Sequence, residues 1–591
     1  MFLLVVYSEQ FYAILPGVVP PYQKHWDIAT EPPPEADQEL SRYSILSNRP
    51  ILRRILYQRG YTTAEAAQSF IEAKPPLGNA PENLLGMQQA VDRIRYAIRH
   101  HERIAIYGDY DADGVTATAL LTHSLGGLGA DVRGYIPNRF DEGYGLNIDA
   151  LTSLREAGVR LVITVDCGMR SLREVNHARQ IGLDLIITDH HSPGGEQLDA
   201  LAVINPKQEG DLYPDKRLAG VGLAYKLACA LLEPDGASYD PDAPAGQYLD
   251  LVALGTITDL APLVGENRSL VRAGLEQIRH PHRQGVQSLI GAAQINAARI
   301  TSEQVSFALG PRLNAAGRLE SALAALNLLL ATQVDEAARL AQLLDNQNRE
   351  RQQITRQIQA HAEQVALAQD PEALVLIAVD ESYNPGVIGL AASRLTEQYY
   401  RPAIVATRGD EFTRASCRSI PEFHITHALD ECADLLVQHG GHSAAAGFTV
   451  HNDNLPELIE RLQTIASRQL ADLDLRHSLR VDALVSLSDL RPELLRDLNA
   501  LQPTGVDNPP AVFASKGLKV LRSRKVGKDM AHLKLTVTDG RITYDAIAFR
   551  QGHWQEDMPP LVDLVYTFEA NEYNGFTSLQ LNVRDIRKAS V

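Results

Sequence analysis

At 591 residues, with 45% hydrophobic and 22% charged side chains, the chain has an ordinary globular make-up and is too long for one core, so roughly three to four domains are expected. Its formal net charge of −17 excludes a broadly basic surface, so any contact with nucleic acid has to be made by a local patch. The four cysteines, Cys167, Cys229, Cys417 and Cys432, are widely spaced and form no CxxC pair, which argues against a disulfide framework or a zinc site and fits a reducing cytoplasm.

The apolar start, MFLLVVYSEQFYAILPGVVPPY, lacks a basic flank and is interrupted by Glu9, so it reads as an N-terminal extension rather than a membrane span. Residues 23–45 are polar and proline-rich (EPPPEAD) and read as loop, giving a tail over 1–45. Residues 46–100 carry apolar side chains at helical spacing. From Arg103 the pattern becomes β-α-β-α: strands at 103–108, 131–137, 159–165 and 183–188 alternate with helices after Gly114, at about 148–157 and at about 171–180. Apolar strands alternating with helices imply a parallel sheet covered on both faces, whose ligands gather beyond the carboxyl ends of the strands.

Chemistry-bearing residues follow those strands directly. RIAIYGDYDADGVTAT (103–118) places Asp109, Asp111 and Asp113 within five residues. Three carboxylates so close raise one another's pKa unless a cation lies between them. A solvated acidic turn at a helix start is the plain alternative, since aspartate is favoured there. Asp166 follows the third strand and Asp189-His190-His191 the fourth, and this recurrence at one sheet edge favours a single site. Asp259 lies in the apolar run YLDLVALGTITDLAPL, where a carboxylate is costly unless paired or metal-bound.

Residues 300–370 read as a long polar helix, and 371–472 as a second α/β unit with strands at 373–379 and 402–407, a helix at 386–397 and a loop leading to SCRSI (416–420). From 473 to 591, short strands separated by Gly/Asp turns suggest a small barrel. That region carries Lys516, Lys519, Arg522, Arg524, Lys525 and Lys528 with no acid among them, a local basic cluster suited to tracking single-strand backbone. Tyr566, Phe568, Tyr573 and Phe576 are candidates for stacking on bases, with a place in the barrel core as the alternative.

DYDADG, VDCG, TDHH and GTITDLAPL, in this order, resemble the four motifs of the DHH phosphoesterase superfamily; GPRLNAAGR (310–318), NPGVIGLAASRL (384–395), SCRSI and GGHSAAAG (440–447) resemble its RecJ single-strand-specific exonuclease branch. The resemblance runs from about residue 50 to the C-terminus. It implies an α/β fold: a parallel-sheet DHH domain (46–299), a connecting helix (300–370), a second, DHHA1-type α/β domain (371–472) and a C-terminal OB-fold barrel (473–591). It also implies two Mn2+ or Mg2+ ions that support phosphodiester hydrolysis. By resemblance Asp111 binds one ion and Asp113 the other, Asp166 bridges them, and His190 and Asp259 complete the ligand set of the second ion. Asp109 supports these ligands, Asp189 holds His190 through its second ring nitrogen, and His191 faces the scissile phosphate.

Arg139, Arg318, Ser416, Arg418 and His442 would surround a 5′ phosphate, since arginine forks and hydroxyls read phosphate best. A narrow cleft between the two α/β domains would exclude duplex. The implied protein is a cytoplasmic monomer that degrades single-stranded DNA from its 5′ end to mononucleotides in recombination and repair, with a helicase or single-strand-binding protein as partner and no membrane. A phosphoesterase of the same superfamily acting on small substrates, or a non-catalytic DNA-binding scaffold, are the alternatives. The basic barrel argues against the first and the intact acidic set against the second. Tyr383-Asn384 departs from the Trp-His that many members of the branch carry.

Overall fold

The computed structural model describes residues 24–139, 142–143, 145–233, 242–527, 529–573 and 576–589, with the side chains of Gln369, Glu572, Tyr573 and Phe576 outside that description. The apolar start, 1–23, and Lys528 also lie outside it. The chain forms two compact units. One takes residues 31–348 and 491–511; the other takes the described residues up to Thr30 together with 349–490 and 512–591.

In the first unit, five parallel strands lie in the order Val132–Tyr135, Arg103–Gly108, Val159–Val165, Asp184–Thr188, Ala202–Ile204. The last of these has no counterpart among the sequence expectations. The strands are apolar on both faces because both are covered. Ile104, Ile106, Leu161 and Ile163 pack with the helices Met87–Arg99, Ala112–Gly127, Gly220–Leu232 and Leu249–Thr258. Ala105, Tyr107, Val162 and Ile187 pack with Ile148–Glu156 and Leu172–Gln180 on the opposite face. All five strands run the same way, so their carboxyl ends share one edge. Segment 491–511 folds into this unit as a strap: the fully buried Arg268 donates to the carbonyls of Ala500, Leu501, Gln502 and Pro503 and stacks on Phe70.

The second unit contains a five-stranded sheet ordered Leu436–Gly441, Ala445–His451, Phe412–Arg418, Ala403–Arg408, Leu376–Asp380, in which only the last pair is parallel. It also contains a barrel. Phe513–Val526, His532–Thr538, Thr543–Ala548, Phe576–Lys588 and Leu561–Tyr573 pair in that order, and Phe513–Val526 pairs again with Leu561–Tyr573 to close it.

Four expectations need correction. The tail over 1–45 is structured within its described part: His25–Ile28 is a strand paired in parallel with Ser478–Val481, and Pro34–Ser41 is a helix. Trp26 anchors that strand through a 2.7 Å bond from its indole N–H to Asp585 and apolar contact with Val481, Ala514 and Val565, so one large aromatic outweighs the polar, proline-rich neighbours. The connecting helix is Val334–Gln369; residues 302–330 form shorter helices in the first unit instead. The barrel region is interrupted by the strap 491–511, and the stretch before SCRSI is no loop, because Thr413, Arg414 and Ala415 lie inside the strand Phe412–Arg418. Among the described residues no helix is long and apolar enough to cross a membrane.

Candidate metal centre and phosphate-binding groups

The loop after strand Arg103–Gly108 folds by its own side chains. Asp111 is the N-cap of helix Ala112–Gly127, and its Oδ1 accepts from Asp113 N–H at 2.9 Å and Gly114 N–H at 3.2 Å. Asp113 then enters the first helical turn with no solvent exposure. Its two oxygens accept the Gly220 and Val221 N–H groups at 2.7 and 2.8 Å, both from the start of helix Gly220–Leu232. Only glycine fits at 220, where a Cβ would lie 2.7 Å from the Asp166 Cβ and 3.1 Å from Asp113 Oδ2. Asp166 ends strand Val159–Val165 in the left-handed region, at φ 61°, a conformation aspartate tolerates better than most residues.

His190 Nε2 lies 3.1 Å from Asp166 Oδ1, 3.9 Å from Asp259 Oδ2 and 4.0 Å from Asp113 Oδ2. The sets Asp109-Asp111-Asp166, Asp113-His190-Asp259 and Asp166-His190-His191 are each compact enough to share one ion. Asp109 Oδ1, Asp166 Oδ1 and His190 Nε2 are buried without a hydrogen-bond partner, and these are the atoms a cation would satisfy. Oxygen ligands with one imidazole suit Mn2+ or Mg2+. The electrostatics agree. Burial, then the neighbouring carboxylates, pushes Asp109 and Asp166 up; the same causes take Asp113 to about 7 and Asp259 to about 9. Burial, then His191, takes His190 down to about 4, which leaves its ring neutral and able to ligate.

Asp259 is the C-cap of helix Leu249–Thr258 and is half-buried, not enclosed by the apolar run around it. Asp189 does not hold His190. Its Oδ1 lies 2.8 Å from His191 Nδ1 and accepts the His191 N–H, while Oδ2 accepts Met169 N–H. The histidine next in sequence turns its ring the other way, toward Asp166 and a backbone bond with Leu218. Burial opposes charge on both Asp189 and His191, but their mutual bond prevails, lowering Asp189 and raising His191. Lys207, which follows the unanticipated strand Ala202–Ile204, donates to the His190 carbonyl at 2.5 Å, and Asn205 donates to that of His191 at 2.8 Å. Neither these two residues nor the Gly220–Val221 amides belong to a motif singled out from sequence.

Arg139 stacks over the Tyr110 ring at 5.0 Å, and the charge of Arg318 acts on the same phenol, so both arginines stand at the acidic loop. In the other unit, Ser416 and Arg418 share one face of strand Phe412–Arg418, against the start of helix Ile388–Tyr399. There a Cβ on Gly389 would lie 3.2 Å from Arg418 Nη2 and 3.4 Å from Ser416 Oγ. His442 is exposed in the turn between Leu436–Gly441 and Ala445–His451. Lys516, Lys519, Arg522 and Arg524 are exposed on the barrel, whereas Lys525 is paired with Glu556 at 2.9 Å. Tyr566 and Phe568 are buried in the barrel and do not serve as stacking groups; the side chains of Tyr573 and Phe576 lie outside the described residues.

Three domain families match this chain: the DHH family, N-terminal domain, over 103–256; the DHHA1 domain over 372–468; and the RecJ OB domain over 481–585. The single-stranded-DNA-specific exonuclease RecJ of Bacillus subtilis is 39% identical over 95% of this chain and 70% of its own length. The protein of the same name from Escherichia coli is 34% identical over 91% and 96%. The crystal structure of RecJ in complex with Mn2+ from Thermus thermophilus matches with a TM-score of 0.82 at 31% identity, over 96% of this chain and 80% of that one.

Proposed function

Because the chain belongs to the RecJ family of single-stranded-DNA-specific exonucleases, we propose that it hydrolyses single-stranded DNA from the 5′ end to 5′-mononucleotides, in recombination and repair. The observation that carries this reading is the convergence of Asp111, Asp113, Asp166, His190 and Asp259 within ligand distance at one sheet edge. These residues hold two Mn2+ or Mg2+ ions, with Asp109 alongside as a supporting carboxylate. Ions bound there supply an activated water and neutralise charge in an in-line displacement.

The chain's own groups do the rest. The Gly220 and Val221 N–H groups orient Asp113, and Asp189 keeps His191 protonated at Nδ1. The same bond raises the His191 pKa and so favours the doubly protonated ring, whose Nε2 proton can pass to the departing oxygen. We assign phosphate binding to Arg139 and Arg318, beside Tyr110, in the first unit, and to Ser416, Arg418 and His442 in the second, each set taken by itself. The exposed basic face of the barrel tracks the strand backbone. We place the enzyme in the cytoplasm as a monomer, with a helicase or single-strand-binding protein supplying single strands.

Single strands labelled at one end or the other, incubated with Mn2+, test this reading. Mononucleotides are expected from the 5′ end only, and Asp166→Ala is expected to abolish their release. Release from the 3′ end alone, or full activity of the variant, overturns it.

A further inference from the structure

Helix Gly310–Leu319 presents one face to the acidic loop. Asn314 Oδ1 accepts the Ala112 N–H at 2.7 Å, a Cβ on Gly317 would lie 2.7 Å from the Tyr110 carbonyl oxygen, and the charge of Arg318 acts on the Tyr110 ring. Positions 314, 317 and 318 have the i, i+3, i+4 spacing of a single helix face. The helix is itself firmly seated. Arg312, buried, lies 2.8 Å from Asp345 on helix Val334–Gln369, and a Cβ on Gly310 would lie 2.5 Å from Thr258 Oγ1, next to Asp259.

Ala112 opens helix Ala112–Gly127, so its N–H has no acceptor within that helix. The next two N–H groups are taken by Asp111 Oδ1 and that of Val115 by the Asp111 carbonyl. The Ala112 N–H belongs to the peptide that follows Asp111 and precedes Asp113 by one residue. Fixing that peptide plane from outside the loop fixes the angle between the two carboxylates.

We propose that Asn314 is a positioning residue for the metal centre, setting Asp111 against Asp113 and thereby the affinity for divalent ions without itself being a ligand. This rests on the metal-binding reading given above. A neutral amide suits the position: it accepts the bond without adding charge to a site that already gathers five aspartates. Its effect belongs to the class of groups that orient ligands rather than bind metal, whose loss weakens affinity roughly 10- to 100-fold.

The test is calorimetric titration of the full chain with Mn2+ in the absence of DNA. Asn314→Ala is expected to weaken Mn2+ binding roughly 10- to 100-fold, while the metal-free protein keeps a cooperative melt. Its exonuclease rate is expected to recover at high Mn2+. Asn314→Asp, which retains an acceptor, is expected to bind Mn2+ at least as tightly as the unmodified chain. Should Asn314→Ala not fold, Asn314→Leu, which keeps the bulk and lacks the acceptor, is read in its place. Unchanged affinity in the variants without an acceptor overturns the proposal, and so does equal weakening in Asn314→Asp. Failure of the unmodified chain to bind Mn2+ would instead count against the metal centre itself.

Discussion

Asp113 has both oxygens held by backbone N–H groups, yet burial and the nearby Asp111 still take it to about 7; burial, then Asp113 and Asp111, take Asp259 to about 9. Against the ordinary carboxylate value of 3.8, the native state therefore holds protons that the unfolded chain has released. The sign follows from proton linkage. The stability tied to those protons is complete below about pH 4 and is lost as pH rises through about 7 and about 9. Thermal melts of chelator-treated protein are expected to show a midpoint that falls across this window. Saturating Mn2+ should remove the fall, because the ion replaces the protons. The double variant Asp113→Asn, Asp259→Asn should flatten the metal-free curve, and an unchanged slope in it would assign the effect to other groups.

Helix Gly310–Leu319 derives its rigidity from the buried pair Arg312–Asp345, whose side chains are 4% and 1% exposed. Arg312→Met alone leaves a buried carboxylate uncompensated and is expected to lower stability by about 3–5 kcal/mol, whereas Arg312→Met with Asp345→Leu should come close to neutral. Denaturant unfolding distinguishes the two, and equal losses would show that the pair matters for its shape rather than its charge. At this scale the sequence was informative wherever chemistry sits at the end of an element. The strands before Asp109, Asp166 and Asp189 are short apolar runs, and a parallel sheet brings their ends to one edge without any knowledge of packing. It was silent where chemistry comes from plain backbone. The Gly220 and Val221 amides open a helix of small apolar residues that resembles any buried helix. Asp189 was given the wrong histidine because two adjacent residues offer equal spacing, and only the turn after the strand decides which ring faces back. Strand His25–Ile28 was missed because a four-residue strand whose partner lies some 450 residues further on leaves almost no local signal.

Over the whole molecule, an excess of 17 negative charges coexists with four exposed cations, Lys516, Lys519, Arg522 and Arg524, on one barrel strand. Changing all four to glutamine is expected to lower single-strand affinity and to reduce the slope of log affinity against log salt by about 3, from about 0.7 per lost phosphate contact. Hydrolysis of very short oligonucleotides should persist. A salt slope that does not move would place the strand elsewhere. The two units also interleave along the chain, which passes between them at Thr30, Asn348, Leu490 and Ala511. That interleaving constrains assembly on the ribosome. Strand His25–Ile28 is made some 450 residues ahead of its partner strand Ser478–Val481, and Trp26 is made 559 residues ahead of Asp585. The catalytic unit completes its β-sheet early yet waits for residues 491–511 to close over Arg268. Order of synthesis and order of docking are thus opposed at both joins: until residues 500–585 are made, the sheet carries the proposed metal ligands but lacks both its strap and the Ala514, Val565 and Asp585 partners of Trp26.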